Sequence, residues 1–476
     1  MTKKKILAIK NKYRNSIYLF FIILFAFYLR TFNLNWDNNY YFHPDERAII
    51  MYAAPLKFPV SLDEFLSISS PLNPHFFAYG NFPLYLLKGL GTLLSPLDTT
   101  FSEYGGMHIV GRLISATADT VTVAIIFILG SVLFSRRAGL FASLLYALSV
   151  FPIQTSHFFA VDTLLTFFMT TTILLLISFI KSPSKKTALA IGILLGFCLA
   201  TKVSALILLP YVFMSFLIAF FILRKKTKIY SLIFLILILI LSCLSVFFIT
   251  QPYVAIDFSN FFQQTSQQSK MGSDPFVFPY TLQYVGKISY IYELKNIFLY
   301  GQGPITSSIC LFGLVIALHS FFKKWKKHVL VLFLASYGVG YFLLFGNFAV
   351  GWMRYMLPIY PVLVLFGGYL LSQITDLISP KFAKNYLARK SLLLLLLIFL
   401  ILYPISFLSI YLYPSTRIQA SEWINNNIPP GSTIAVEHWD DALPVNEGQK
   451  YTHLSLPLYD PDTTSKWNQI DAMLNV

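Results

Sequence analysis

The chain has 476 residues, 56% hydrophobic and only 12% charged, with 46 Phe, 29 Tyr and a formal net charge of +15. Surface-to-volume scaling leaves no room for so much apolar surface inside a soluble domain of this length. Apolar runs of eighteen or more residues recur, each long enough to cross a bilayer core of roughly 30 Å as a helix, so the chain reads as a polytopic membrane protein.

The first run, SIYLFFIILFAFYLRTFNL, follows the basic opening MTKKKILAIKNKYRN. No small-x-small cleavage site follows it, and Arg30 lies near its outer end, so a retained helix is expected rather than a signal peptide. About eleven spanning helices are expected, near residues 17–35, 108–134, 138–156, 162–180, 187–200, 202–223, 229–250, 303–322, 328–347, 353–373 and 391–412. Only the residues ATK interrupt the stretch 187–223. Cys198, Cys243 and Cys310 all fall inside apolar runs and form no disulfide or metal pattern.

With the N-terminus in the cytoplasm, six segments lie on that side: 1–16, SRR, KSPSKK, RKKTK, KKWKK and 374–390. They hold 23 of the 36 Lys and Arg but one acid, Asp376, which is the asymmetry that orients membrane proteins. The basic excess is thereby a topology signal, and nucleic acid is not needed to explain it. The stretch 75–94 is nearly long enough to span, but crossing there would turn every later basic loop outward. It contains Gly80, Pro83, Lys88 and Gly89, and is expected to lie along the outer interface.

The chain thus divides into a membrane domain, 1–412, and a short outer segment, 413–476. The membrane domain carries large outer loops at 36–107 and 251–302. In the tail, STRIQASEWINNN has helical spacing, IPPG breaks it and STIAVEH reads as a strand, giving a small α/β cap.

Polar groups beside a membrane are costly and tend to be functional. The first loop opens with YYFHPDERAII, residues 40–50. Proline and acids here suit a helix start. Equally, Asp45 and Glu46 suit a general base shielded by aromatic rings, with His43 beside them, or oxygen ligands for a divalent cation. Asp162, in TSHFFAVDTLLTFF, can cap the next helix or line a site. Lys202 lies between two apolar runs, where it either snorkels or holds an anion. Arg354, in GWMRYMLPIYP with Tyr355 beside it, suits a phosphate, and Arg112 and Asp119 sit near the start of an earlier span. Carboxylates above and cations at the outer interface are what transfer from a lipid-linked phosphosugar needs. One base activates the acceptor, and cations take up the charge on the departing phosphate.

In this order and on these sides of the membrane, FHPDERA (42–48), GRLISA (111–116), SHFFAVDTLLTFF (156–168), LATKVSALILLP (199–210) and RYMLPIYP (354–361) resemble the GT-C class of integral membrane glycosyltransferases. The nearest resemblance is to glycosyltransferase family 39, the group of protein O-mannosyltransferases and aminoarabinose transferases. The resemblance covers most of residues 17–412. It implies a GT-C fold, a polyprenyl-phosphate sugar donor and transfer with inversion at the extracytoplasmic face. It also implies a lipid, glycan or protein acceptor, with no cofactor required and a divalent cation admitted. Asp45 and Glu46 map onto the family's catalytic acidic pair, with the aspartate as base. Lys202 and Arg354 map onto its lipid-phosphate cations; Arg112 is expected beside them, and His43, Asp162 and Tyr355 are expected to line the rest of the substrate site. The chain departs from protein mannosyltransferases in its short HPDE motif and its lack of a repeat domain between helices. A lipid-linked glycan ligase or polymerase, or a polyprenyl-lipid flippase, is the rival reading. A flippase would show inverted repeats and a central charged cavity.

Overall fold

The computed structural model describes residues 3–222, 229–377, 386–437, 441–445 and 450–475. The basic loop 224–228 and much of the basic stretch 374–390 therefore lie outside the described residues. The described chain is mostly helical and multi-pass, with eight segments long and apolar enough to cross a membrane, the first Met107–Leu133 and the last within the helix Tyr386–Leu408. The other expected spans correspond to the Lys3–Thr31 helix, the shorter Lys185–Thr201 helix and the region around 138–156.

That last region is not one helix. It forms Arg136–Ala147 and Val150–Thr155, separated by an extended Ser149. Pro152 explains the break, because its ring would meet the carbonyl of Leu148 and it has no N–H to donate. The stretch 187–223 also divides. Lys202 takes an extended conformation, φ −161° and ψ 130°, ending one helix. A 3-10 turn, Val203–Ile207, then leads into Leu208–Leu217. Arg354 lies on a comparable irregular segment, the 3-10 stretch Met353–Ile359, which contains Pro358 and precedes the Tyr360–Leu377 helix. Asp45 and Asp162 each sit in the first turn of a helix, Pro44–Ala53 and Val161–Lys181. Four charged residues thus occupy helix starts or breaks, where backbone polarity is already exposed to a polar cavity.

Deeper in the bundle, Arg30 and Asp119 are both fully buried and paired at 2.5 Å, with the Tyr146 hydroxyl donating to the same carboxylate at 2.6 Å. Asp119 is a partner within the bundle, not a site residue.

The first long loop packs on the membrane part through an apolar cluster of its own, which joins Ile49, Ile50, Leu84 and Leu87 to Met107, Val110 and Phe159. The interfacial stretch forms the helix Phe82–Leu94. Gly80 fixes where this loop lands. Its N–H donates to the Thr201 carbonyl at 3.1 Å, and a Cβ there would lie 1.8 Å from the Ala200 carbonyl oxygen. Only glycine allows that approach, which lays the loop directly over Lys202.

The tail contains the helix Thr416–Asn427, strands β1 (Thr433–Glu437) and β2 (Thr452–Leu456), and the helix Thr464–Leu474. β1 and β2 pair in parallel, Thr433 opposite Thr452 and Glu437 opposite Leu456. The expected helix and strand are therefore both present. Asp441 ties the tail to the first loop, accepting from Arg47 at 2.6 Å and Arg417 at 2.7 Å.

Candidate active site

Asp45 is placed by its helix. Pro44 opens the first turn, and the His43 ring caps it, Nδ1 accepting from the Glu46 N–H at 3.5 Å. The Asp45 side chain is 15% exposed and meets two partners. Tyr79 donates its hydroxyl to Oδ1 at 2.8 Å, and the Arg354 guanidinium contacts Oδ2. Arg354 in turn approaches Asp162 at 4.0 Å, and Asp162 accepts from Lys202 at 2.8 Å. Asp45, Arg354, Asp162 and Lys202 thus form one chain of alternating charge, drawn from four separate parts of the sequence.

The chain borders a cavity of about 310 Å³. Lys202, Arg354, Asp162, Tyr355 and Tyr79 line its charged part, and Leu206, Ile207, Leu344, Phe345 and Phe348 its apolar part. Asp45 reaches the cavity wall through its contacts with Tyr79 and Arg354. The Lys202 ammonium lies 4.9 Å from the centre of the Tyr355 ring, and Arg354 is 5.3 Å over Trp352. Such faces hold a cation without neutralising it. Burial, with the Asp162 charge nearby, pushes the Tyr79 phenol well above its ordinary value, so it stays a donor to Asp45. The cavity therefore offers an anion two cations at its polar end and an apolar chain a slot beside them.

Three expected site residues, Glu46, Arg112 and His43, do not line the cavity. Glu46 is fully buried, and both its oxygens accept from Arg112, Nε at 3.0 and 3.2 Å and Nη2 at 2.6 Å; Oε1 also takes the Phe159 N–H at 2.8 Å. Arg112, also fully buried, spends its remaining donors on Asp37, at 3.0 and 2.7 Å, and on the Leu34 carbonyl at 2.5 Å. Arg112, expected at the lipid phosphate, and Glu46, expected beside the base, are thus both engaged away from the cavity. A fork of this kind, matched to two carboxylates, has no donor left for a third anion. Asp162 is likewise not a helix cap: its side chain caps nothing and turns to Lys202 instead. His43 stacks on Phe158 at 3.7 Å and stands 3.9 Å from Asp45. Burial first, then Arg354 and Arg112, lowers its pKa well below the usual imidazole value, so it is neutral.

The sequence does not single out Tyr79 or Asp37. Tyr79 sits in FAYGN, where only the neighbouring glycine marks a close approach.

A divalent ion finds no ready donor set here. Among the described residues no three His, Cys, Asp or Glu converge, and each carboxylate at the cavity already has a cationic partner.

The helical membrane domain, its acid-bearing first long loop and the charged cavity beside an apolar slot have the arrangement of the GT-C fold. Comparison with known proteins agrees. A family model described as dolichyl-phosphate-mannose-protein mannosyltransferase matches residues 104–247. The archaeal oligosaccharyltransferase AglB from Archaeoglobus fulgidus, solved with an inhibitory peptide and a dolichol-phosphate, superposes with a TM-score of 0.54 at 16% identity over 88% of this chain. The chain spans 58% of that protein's length. ArnT from Cupriavidus metallidurans, solved with undecaprenyl phosphate, gives a TM-score of 0.50 at 15% identity, covering 88% of this chain and 82% of ArnT. No curated protein sequence matches the chain.

Proposed function

We propose that this protein is a glycosyltransferase that moves a monosaccharide from a polyprenyl-phosphate donor to a lipid, glycan or protein acceptor, at the extracytoplasmic face and with inversion. The observation that carries this reading is the single chain Asp45–Arg354–Asp162–Lys202 at the mouth of an apolar slot. The donor's phosphate sits against Lys202 and Arg354, with its isoprenoid along Leu206, Ile207 and Phe345. An acceptor hydroxyl attacks the anomeric carbon from the opposite side. The bond from that carbon to the phosphate oxygen breaks as the new glycosidic bond forms, and the electron pair leaves with the polyprenyl phosphate. Asp45 takes the acceptor's proton. Phosphate leaves without protonation because the two cations balance its growing charge, so no separate acid is required.

In the free protein Arg354 holds Asp45. An arriving phosphate competes for that guanidinium, and its binding frees the carboxylate for the acceptor. The base is thereby exposed when a donor is in place. The basic loops orient the chain with its N-terminus in the cytoplasm and this cavity outside. Retention of the charges at one end, beside long outer loops, favours transfer over transport.

The test is reconstituted transfer from undecaprenyl-phosphate sugars by the purified full chain. Lys202→Met is expected to weaken donor binding about tenfold or more, the scale of one lost charge-assisted contact. Unchanged donor dependence in this variant would remove Lys202 from the site.

A further inference from the structure

The helix Phe258–Lys270, FSNFFQQTSQQSK, lies in the second long loop, 251–302, and has no acid and one base, Lys270, in its last turn. Its neutral polar residues serve two sides. Gln264 accepts from the Phe77 N–H at 2.7 Å and donates to the His75 carbonyl at 2.9 Å, holding the helix to the segment that carries Tyr79. Beyond its end, the Ala349 N–H donates to the Gly272 carbonyl at 2.9 Å, close to Arg354 in sequence. The helix is therefore pinned between the Tyr79 and Arg354 walls. Thr265, Gln268 and Ser269, spaced i, i+3, i+4, share one face and line the cavity with the charged residues. The Thr265 hydroxyl oxygen is buried and has no hydrogen-bond partner within the described protein. Buried hydroxyls are ordinarily satisfied, and a ligand in the cavity would supply what is missing.

We infer that this helix is the sugar-recognition roof and that it selects a neutral, hydroxyl-only sugar, with Thr265 and Gln268 as the specificity-determining residues. The inference rests on the glycosyltransferase reading. With phosphate at Lys202 and Arg354, the sugar one bond away must enter the same cavity. The amide and hydroxyl above it both donate and accept, which matches sugar hydroxyls. The face formed by Thr265, Gln268 and Ser269 carries no charge. An amine or carboxylate held against it would be desolvated with no counter-charge from the helix.

The full-length protein in nanodiscs is titrated with undecaprenyl phosphate and with its glucose, mannose, 4-amino-4-deoxyarabinose and galacturonate conjugates. At least one neutral conjugate should bind about tenfold tighter than undecaprenyl phosphate, the worth of one or two hydrogen bonds, and the charged conjugates no tighter than it. Thr265→Val with Gln268→Leu should erase that advantage and leave undecaprenyl phosphate affinity unchanged. Gln268→Met alone should halve the advantage or more if the double variant does not fold. A charged conjugate that binds best, or a neutral advantage that survives these changes, overturns the inference. Failure of the wild type to bind undecaprenyl phosphate, or equal binding by Lys202→Met, overturns the underlying reading instead.

Discussion

Asp45→Asn preserves side-chain length and still accepts the Tyr79 hydroxyl, now 2.8 Å from Oδ1, but it removes the charge that holds Arg354. The change is expected to move two quantities in opposite directions. Turnover should fall ~10²–10⁴-fold, the usual contribution of a positioned base. Donor affinity should rise, because Arg354 is released to the phosphate. The two side chains are 19% and 15% exposed. That places the pair between a solvent ion pair worth about 0–1 kcal/mol and a buried one whose breaking costs roughly 3–5 kcal/mol. Removing a competitor worth about 1–2 kcal/mol tightens phosphate binding roughly 5–30-fold. Titration with undecaprenyl phosphate reads the affinity, and single-turnover transfer reads the chemical step. Turnover close to wild type would refute Asp45 as base. Lost turnover with unchanged or weaker donor binding would refute the competition for Arg354.

Arg112→Met should cost roughly 3–5 kcal/mol of stability, since it strands the buried carboxylates of Asp37 and Glu46, and thermal unfolding of the purified protein measures it. A variant with wild-type melting that loses only donor affinity would return Arg112 to the phosphate site. His43 has a folded pKa below its free value near 6.5, so the stability linked to it is complete above that pH and declines as pH falls toward the folded value. The melting temperature should therefore drop on acidification below pH 6.5, and His43→Asn, which still caps the helix, should shallow that slope. Asp441→Asn breaks the pairs to Arg47 and Arg417, which are about one-third exposed, and is expected to cost only about 0–1 kcal/mol, read by the same melting assay.

The membrane helices were legible because each is a long apolar run, and lipid leaves the backbone no alternative to a helix. The break at Ser149 was carried by Pro152, yet the surrounding apolar run masked it. Asp45, Lys202 and Arg354 stood out because charge beside a membrane is rare. The same cue also picked out Arg112 and Glu46, which pair with each other in the interior. Rarity marks a buried structural pair as strongly as a ligand, and only three-dimensional partners separate the two. Asp37 and Tyr79 show the complementary failure. Each is an ordinary residue in the long first loop, made important by a contact with Arg112 or with Asp45 that is distant in sequence. The polar face of the Phe258–Lys270 helix was hidden for a related reason: glutamine and serine in a loop carry no signal until a cavity is found beneath them.

Three consecutive side chains on the first-loop helix face three different worlds. Asp45 meets the cavity wall, Glu46 enters the core to Arg112, and Arg47 reaches outward to Asp441 in the tail. The two neighbouring acids are consequently not interchangeable. Swapping them would leave charge and composition untouched, yet put the shorter acid where Arg112 needs length and the longer one where Tyr79 and Arg354 hold a short reach.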